Sequence, residues 1–422
     1  MVIDGSCLQT ALSGASAHAF LTVAVRCQAV VCCRVTPSQK ARVARLVRQQ
    51  LVGEITLAVG DGANDVSMIQ VAHVGVGIRG KEGQQAALAS DYALAQFSHL
   101  ERLLLVHGRW SYNRISTMVC YFFYKNITYA MTLFWFGIWS AFSAQPLFDD
   151  AYQSLFNLIF TSLPVMTFAL LDRDVEAATV LRHPRLYAAG HDGTAFSTRR
   201  FALFVLGAVA HSLTIFFLCA GAMDMEKLTL GAAGTTVLSC VILTVTTVLA
   251  LHTCSVTWLH CAVYAGSVAV WLAFLLGYHS VPLATLARFN KEAGVHGVVF
   301  RLLPSPSFWL TCVITVAAAC LPVAAYKFLA QTFRPSLLDL CRLSQLRPRA
   351  RSAEPAAAPS PEARAEGGES GGGDRRCATG ARSPPGPGGT AWVPVALARA
   401  GAAASVGLAM VGVAVGAALL LL

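Results

Sequence analysis

The stretch Thr56–Ile78, TLAVGDGANDVSMIQVAHVGVGI, decides how the N-terminal part of this chain folds. An apolar run closes at Gly60, and Asp61, Asn64 and Asp65 follow within a few positions. A short amphipathic segment, NDVSMIQVA, then leads into a second apolar run, VGVGI. Strand, tight turn, helix and strand in that order are the unit of a parallel α/β sheet. Gly60 and Gly62 let the backbone turn sharply. Asp61 therefore lies just past the carboxyl end of a strand, where open α/β sheets bind ligands.

Upstream, QAVVCCRV (28–35) reads as a buried strand and TPSQKARVARLVRQQLVG (36–53) as a helix. Thr36 serves as N-cap, Pro37 takes the first helical position, and Gln39 completes a capping box. Gly53 ends the helix. Val43, Leu46, Val47 and Leu51 form its core-facing stripe, leaving Lys40, Arg42, Arg45 and Arg48 to point elsewhere. Two carboxylates four residues apart, Asp61 and Asp65, suit a hard cation such as Mg²⁺, which takes a few carboxylates together with phosphate and water oxygens. The same residues also suit a plain helix cap and turn. On the loop alone both readings stand. The glycines of GVGIRG (75–80) match a dinucleotide fingerprint, but the first two fall inside the strand pattern. No acidic residue stands about 20 positions on, so a nicotinamide or flavin site is excluded.

The rest of the chain is of another kind. Of 422 residues, 55% are hydrophobic and only 13% charged, with a mean hydropathy of +0.57. Soluble domains carry about 25% charged residues, so the balance predicts a membrane protein with a modest soluble part. Apolar runs long enough to span lie at roughly 115–140, 151–171, 201–222, 234–252, 258–279 and 308–330. The net charge of +10 comes from basic residues at the ends of these runs, without interleaved aromatics, which excludes nucleic acid as a partner. With the N-terminal part cytosolic, Arg173, Arg182, Arg185, Arg199 and Arg200 fall inside with the basic tail. They outnumber the cations opposite them, as the positive-inside rule asks. The 13 cysteines show no zinc spacing and read as packing residues in a reducing compartment. No basic segment precedes an apolar one at the start, so no signal peptide is expected.

Lys125 stands out within the first span. It is the eleventh residue of the run, about 15 Å deep at about 1.5 Å per residue. A central lysine costs roughly 2.5–3.5 kcal/mol on insertion scales. With Asn126 beside it, it suits the phosphate or carboxylate of a lipid headgroup. The next span adds Asn157, Thr161 and Ser162, and Pro164 frees a carbonyl. These two spans hold no Asp or Glu, which argues against cation transport, since a cation pump needs anionic oxygens there. The pattern from Leu100 to Ile115 predicts one continuous helical stalk. Residues 336–391 are rich in Pro, Gly, Ala and Arg and are expected to be a disordered linker. Residues 392–422 end the chain in an apolar segment long enough for a seventh span.

Taken together, CCRVTPSQKARVARLV, the Thr56–Ile78 stretch with its continuation through RGKEGQQAALASDYALAQFSHLERLLLVHGRWSY, and YFFYKNITY resemble the C-terminal half of a type IV P-type ATPase, a phospholipid flippase, over roughly residues 1–340. The resemblance implies a partial phosphorylation domain (HAD-like α/β, parallel sheet) at 1–98, and a stalk with an all-α membrane domain of six helices at 99–335. It implies Mg²⁺ at Asp61 and Asp65, and ATP or phosphoryl contacts from Arg34, Lys40, Asn64 and Asp65. It also implies a lipid path along Lys125, Asn126 and Asn157, an accessory β-subunit glycoprotein, and residence in the plasma membrane or a secretory or endosomal organelle. The transported lipid would be an aminophospholipid moving from the outer to the cytosolic leaflet through an aspartyl-phosphate cycle. The D-K-T-G-T nucleophile motif of that family is absent from this sequence. No catalytic residue is therefore assigned, and the chain by itself is expected not to hydrolyse ATP. The competing reading is an inert membrane protein that binds lipid or occupies the β-subunit.

Overall fold

In a computed structural model the described residues are 1–80, 83–191, 193, 195–223, 229–281 and 297–353. They fall into two compact units, Met1–Gly108 and a second beginning at Arg109.

The first unit is α/β. Its elements are β1 (Val2–Asp4), α1 (Gly5–Ala11), α2 (Ser16–Arg26), β2 (Val31–Cys33), α3 (Pro37–Gln50), β3 (Leu57–Gly60), α4 (Val66–Val71), β4 (Val74–Ile78), α5 (Gln85–Leu88), β5 (Tyr92–Leu94) and α6 (His99–Arg102). All strand pairs are parallel, but they form two sheets where one was expected. β1 pairs β2, with Ile3 opposite Cys32, and β3-β4-β5 form the other, with Gly60 opposite Gly77 and Gly77 opposite Ala93. Among the described residues no strand bridges β2 to β3, so the two ladders stay separate.

α3 begins as its sequence requires. Thr36 Oγ1 accepts from the Gln39 N–H at 3.3 Å, and Gln39 Oε1 accepts from the Thr36 N–H at 2.9 Å. Such a reciprocal cap is worth about 1 kcal/mol. The Gln39 amide also donates to the Gly5 carbonyl at 2.8 Å, tying α3 to α1. Gly77 explains the false fingerprint: a Cβ there would lie 2.4 Å from the Ala86 carbonyl oxygen, so this glycine admits α5 against β4.

The second unit is helical: α7 (Arg109–Trp139), α8 (Asp150–Leu155), α9 (Ser162–Leu171), α10 (Ala177–Arg182), α11 (Ala188–His191), α12 (Thr198–Ala222), α13 (Leu230–His252), α14 (Trp258–Ser280), α15 (Val299–Leu302), α16 (Pro306–Phe333) and α17 (Leu337–Ala353). Among the described residues five helical segments are long and apolar enough to cross a membrane: Asp150–Leu171, Thr198–Ala222, Leu230–His252, Trp258–Ser280 and Pro306–Phe333. α7, at the first expected span, is 31 residues long but is not among them. Lys125, Asn126 and the buried Ser116, Thr117, Thr128 and Thr132 dilute its apolar run. The expected stalk is helical but not uniformly so, because Leu103–Gly108 is π-helical.

α13 is the hub of the second unit, buried along nearly its whole length. Several of its hydroxyls turn back onto their own helix: Thr236 donates to the Ala232 carbonyl at 2.8 Å and Thr247 to the Leu243 carbonyl at 2.8 Å. A Thr-rich helix is thereby buried with those donors satisfied. The expected linker from 336 starts instead as α17. Ser336 and Asp339 cap one another, the Ser336 N–H donating to Asp339 Oδ2 at 3.1 Å and the Asp339 N–H to Ser336 Oγ at 3.2 Å. Leu337, Leu338, Leu340 and Cys341 supply the apolar residues that the later Pro- and Gly-rich stretch lacks. The remainder of the linker and the apolar segment 392–422 lie outside the described residues.

Candidate functional site

The sequence-predicted residues fall into two groups, one in each unit. In the first, β3 ends at Gly60 and a 3₁₀ turn, Ala63–Asp65, carries the chain into α4. Asp61 and Asn64 are exposed on this turn, while Asp65 folds inward and is buried. Lys40 of α3 donates to Asp65 Oδ1 at 2.7 Å. Gly60 is required for this packing, because a Cβ there would meet the Asp65 Cβ at 2.3 Å. The Ser67 hydroxyl donates to the Pro37 carbonyl at 3.1 Å, holding the starts of α3 and α4 together.

Two residues expected to act separately, Lys40 and Asp65, are thus one ion pair. Arg34 is exposed and held at φ +52, in the left-handed region. Among the described residues it makes no side-chain hydrogen bond to this turn. Asp61 makes no hydrogen bond or ion pair among the described residues, and no cluster of three or more metal-binding side chains occurs among them. The donors open to Mg²⁺ are therefore the Asp61 carboxylate and the second oxygen of Asp65. So small a set fits an ion that keeps most of its water and takes phosphate oxygens.

In the second unit, Lys125 is 2% exposed. Its ammonium donates to Asn157 Oδ1 at 2.9 Å and to Thr161 Oγ1 at 2.7 Å. The rings of Phe122 and Phe156 lie 5.3 and 5.7 Å from it. The acceptors come from a break between α8 and α9, where Phe156–Phe160 is π-helical. Thr161 passes its own proton to the Phe156 carbonyl at 2.7 Å. Pro164 has no N–H to offer the Phe160 carbonyl, and the Ser267 hydroxyl of α14 serves that oxygen instead. Among the described residues no carboxylate pairs with Lys125. An ammonium has three N–H donors, and neutral oxygens take two of them. Asn157 is exposed, so the buried cation reaches the protein surface through this amide. Asn126, half-buried, makes no side-chain hydrogen bond among the described residues.

Composition did not announce the network around the start of α7. Arg109 Nη1 and Nη2 donate to Asp174 Oδ1 and Oδ2 at 2.9 and 2.5 Å. Trp110 Nε1 donates to the Val175 carbonyl at 3.1 Å, and Arg114 donates to the carbonyls of Asp172 and Leu170. Asp172 accepts the Cys254 and Ser255 N–H groups, both at 2.8 Å. From α17, Arg342 donates to the Asp174 carbonyl at 2.9 Å and to Cys254 Sγ at 3.1 Å. Burial pushes the Cys254 thiol up, with Arg342 pulling against it. The arginines were visible in the sequence as end-of-span cations; their acceptors, mostly backbone carbonyls, carry no sequence signal.

A model of the family described as phospholipid-translocating P-type ATPase, C-terminal, matches residues 87–336. The chain belongs to that family. It is 41% identical over 344 residues to probable phospholipid-transporting ATPase 7 of Arabidopsis thaliana, covering 79% of this chain and 27% of that protein. To phospholipid-transporting ATPase 10 of the same plant it is 42% identical over 344 residues, 79% of this chain and 28% of the relative. To human phospholipid-transporting ATPase ID it is 40% identical over 353 residues, 82% and 29% respectively. This family member thus spans little more than a quarter of the length of the curated relatives it matches. Its membrane-capable helices agree with an integral membrane protein of this family.

Proposed function

We propose that this chain is the C-terminal part of an ATP-driven phospholipid flippase that moves an aminophospholipid from the outer to the cytosolic leaflet. The observation that carries the reading is Lys125: a buried ammonium without a carboxylate partner among the described residues, held by neutral oxygens at a helix break. An anionic phosphate or carboxylate of a headgroup supplies the charge the site lacks. It meets the third N–H of the ammonium and the exposed amide of Asn157, with Asn126 the next residue along α7. A transported cation would be repelled, whereas an anionic headgroup gains a charge-assisted hydrogen bond. α7 serves as a sixth span, its polar residues facing other helices.

The first unit is read as part of a HAD-like phosphorylation domain. When bound, Mg²⁺ supplies charge neutralisation for a transferring phosphoryl group. Asp61 and Asp65, the latter steadied by Lys40, would hold the ion, and Arg34, Lys40, Asn64 and Asp65 would contact the phosphates of ATP. No D-K-T-G-T nucleophile is present in the sequence, so this chain alone forms no phosphoenzyme. An accessory β-subunit completes the assembly, in the plasma membrane or a secretory or endosomal organelle.

The test is lipid-stimulated ATP hydrolysis by a pump in which residues 1–336 replace the matching part of a relative. Lys125→Ala is expected to abolish the stimulation while sparing phosphorylation from ATP. Undiminished stimulation in the variant overturns the lipid-path reading. A robust acid-stable phosphoprotein formed by the chain alone would falsify its inactivity. Co-purification with a β-subunit but no stimulation in any assembly would favour an inert lipid-binding role.

A further inference from the structure

Lys125 is not placed by its own contacts alone. The adjacent residue, Tyr124, points about 100° away around the helix and is 2% exposed. Its hydroxyl shares a 2.5 Å hydrogen bond with Nδ1 of His211 on α12. The two rings meet edge to face at 5.6 Å and 88°, and His211 is itself buried. One turn earlier, Tyr121 donates to the Val245 carbonyl of α13 at 2.8 Å. Along the same helix pair, Arg200 donates to Thr117 Oγ1 at 2.8 Å and Trp135 to Ser212 Oγ at 3.1 Å. α7 is therefore pinned to α12 and α13 on one side and offers Lys125 to the α8–α9 break on the other. Of these pins, Tyr124–His211 lies nearest Lys125 in sequence. It joins a buried phenol to a buried imidazole where apolar packing would otherwise suffice.

We propose that His211 is a positioning residue for the headgroup contact of Lys125, acting through Tyr124. This rests on the lipid-path reading above. Together with the other pins the bond fixes the rotation of α7 about its axis, and beside Lys125 it sets the direction of the ammonium. A misplacement of about 1 Å at a reacting or binding group is enough to cost up to about a hundredfold. The neutral acceptors Asn157 and Thr161 hold the ammonium tip but do not prevent its parent helix from turning.

The experiment uses the full chain in nanodiscs of a zwitterionic choline lipid doped with increasing fractions of phosphatidylserine, with bound lipid counted by native mass spectrometry. His211→Ala and Tyr124→Phe are each expected to weaken phosphatidylserine uptake by about 3- to 10-fold, the range one hydrogen bond carries. The double variant is expected to be no weaker than either single one, and His211→Gln, which keeps a hydrogen-bonding amide, to recover most of the loss. Thermal unfolding measured on the same samples separates positioning from collapse, and Tyr124→Phe and His211→Gln keep the test open should His211→Ala fail to fold. If Lys125→Gln weakens uptake while Tyr124→Phe leaves it unchanged, the role of His211 is overturned and the lipid path stands. If Lys125→Gln has no effect, both fall.

Discussion

Arg109 grips both carboxylate oxygens of Asp174, at 2.9 and 2.5 Å, with the two side chains only 5% and 8% exposed. Asn113 adds a third donor to Asp174 Oδ2 at 3.1 Å, and Arg109 Nε also reaches the Leu186 carbonyl at 3.2 Å. The start of α7 is thereby clamped to the segment that follows α9. Removing one partner of such a buried pair strands the other charge, which costs about 3–5 kcal/mol. Asp174→Ala is therefore expected to destabilise the second unit by about that amount, and Arg109→Met with Asp174→Leu together by much less. Chemical denaturation in detergent checks both, and a double variant as unstable as the single one contradicts the account.

Lys125 has the opposite balance. Its ammonium is buried against neutral partners, so its removal relieves a desolvation cost. Lys125→Met is expected to raise the stability of the bundle by at most about 3 kcal/mol while removing the lipid response. A lowered unfolding midpoint would show that the ammonium serves packing and not a ligand.

Gly60→Ala tests the acidic turn. The new methyl would collide with the Asp65 side chain, and relief of such overpacking costs about 1–3 kcal/mol. Pushing Asp65 outward also breaks its bond to Lys40. The expected outcome is faster proteolysis of Met1–Gly108 and weaker Mn²⁺ binding, followed by paramagnetic resonance. Lys40→Met strands the buried Asp65 carboxylate and is expected to lower stability as well as to change metal binding.

Asp4 caps α1. The Ser6 hydroxyl at 2.8 Å and the Ser6 N–H at 3.4 Å donate to its Oδ2, and these bonds hold its carboxyl below the ordinary value. Because the folded pKa is depressed, the contribution is present above the unfolded value of about 3.9 and is lost as pH falls through the folded value. Fraying of α1 is therefore expected only below about pH 4. Carbon NMR of the carboxyl checks this through a titration midpoint lower than that of an Asp in a short peptide, and Asp4→Asn removes the dependence.

The local elements were legible because their signals are local. Thr36, Pro37 and Gln39 specify the start of α3 within four residues, and the Asp61 turn follows from glycines flanking a carboxylate at a strand end. The helices Thr198–Ala222, Leu230–His252 and Trp258–Ser280 begin and end within a few residues of their apolar runs. β1 and β5 were missed because no long apolar run surrounds them, whereas QAVVCCRV marked the equally short β2. α17 was missed because the Pro- and Gly-rich composition beyond it outweighed its short apolar start. Lys125 and Asn157 were singled out on cost alone: a polar group deep in an apolar run must find a partner.

By itself the sequence determined the strands that sit in longer apolar runs, the helices apolar enough for a membrane, and that an unusual cation lies within a further, less apolar helix. Those properties depend on neighbours within a few positions. Only the tertiary structure decided that Lys40 belongs to Asp65, that Arg109 belongs to Asp174, and that Lys125 faces Asn157 while Tyr124 faces His211. Such pairings join residues tens of positions apart, and they are set by how helices rotate and pack, which no local pattern encodes.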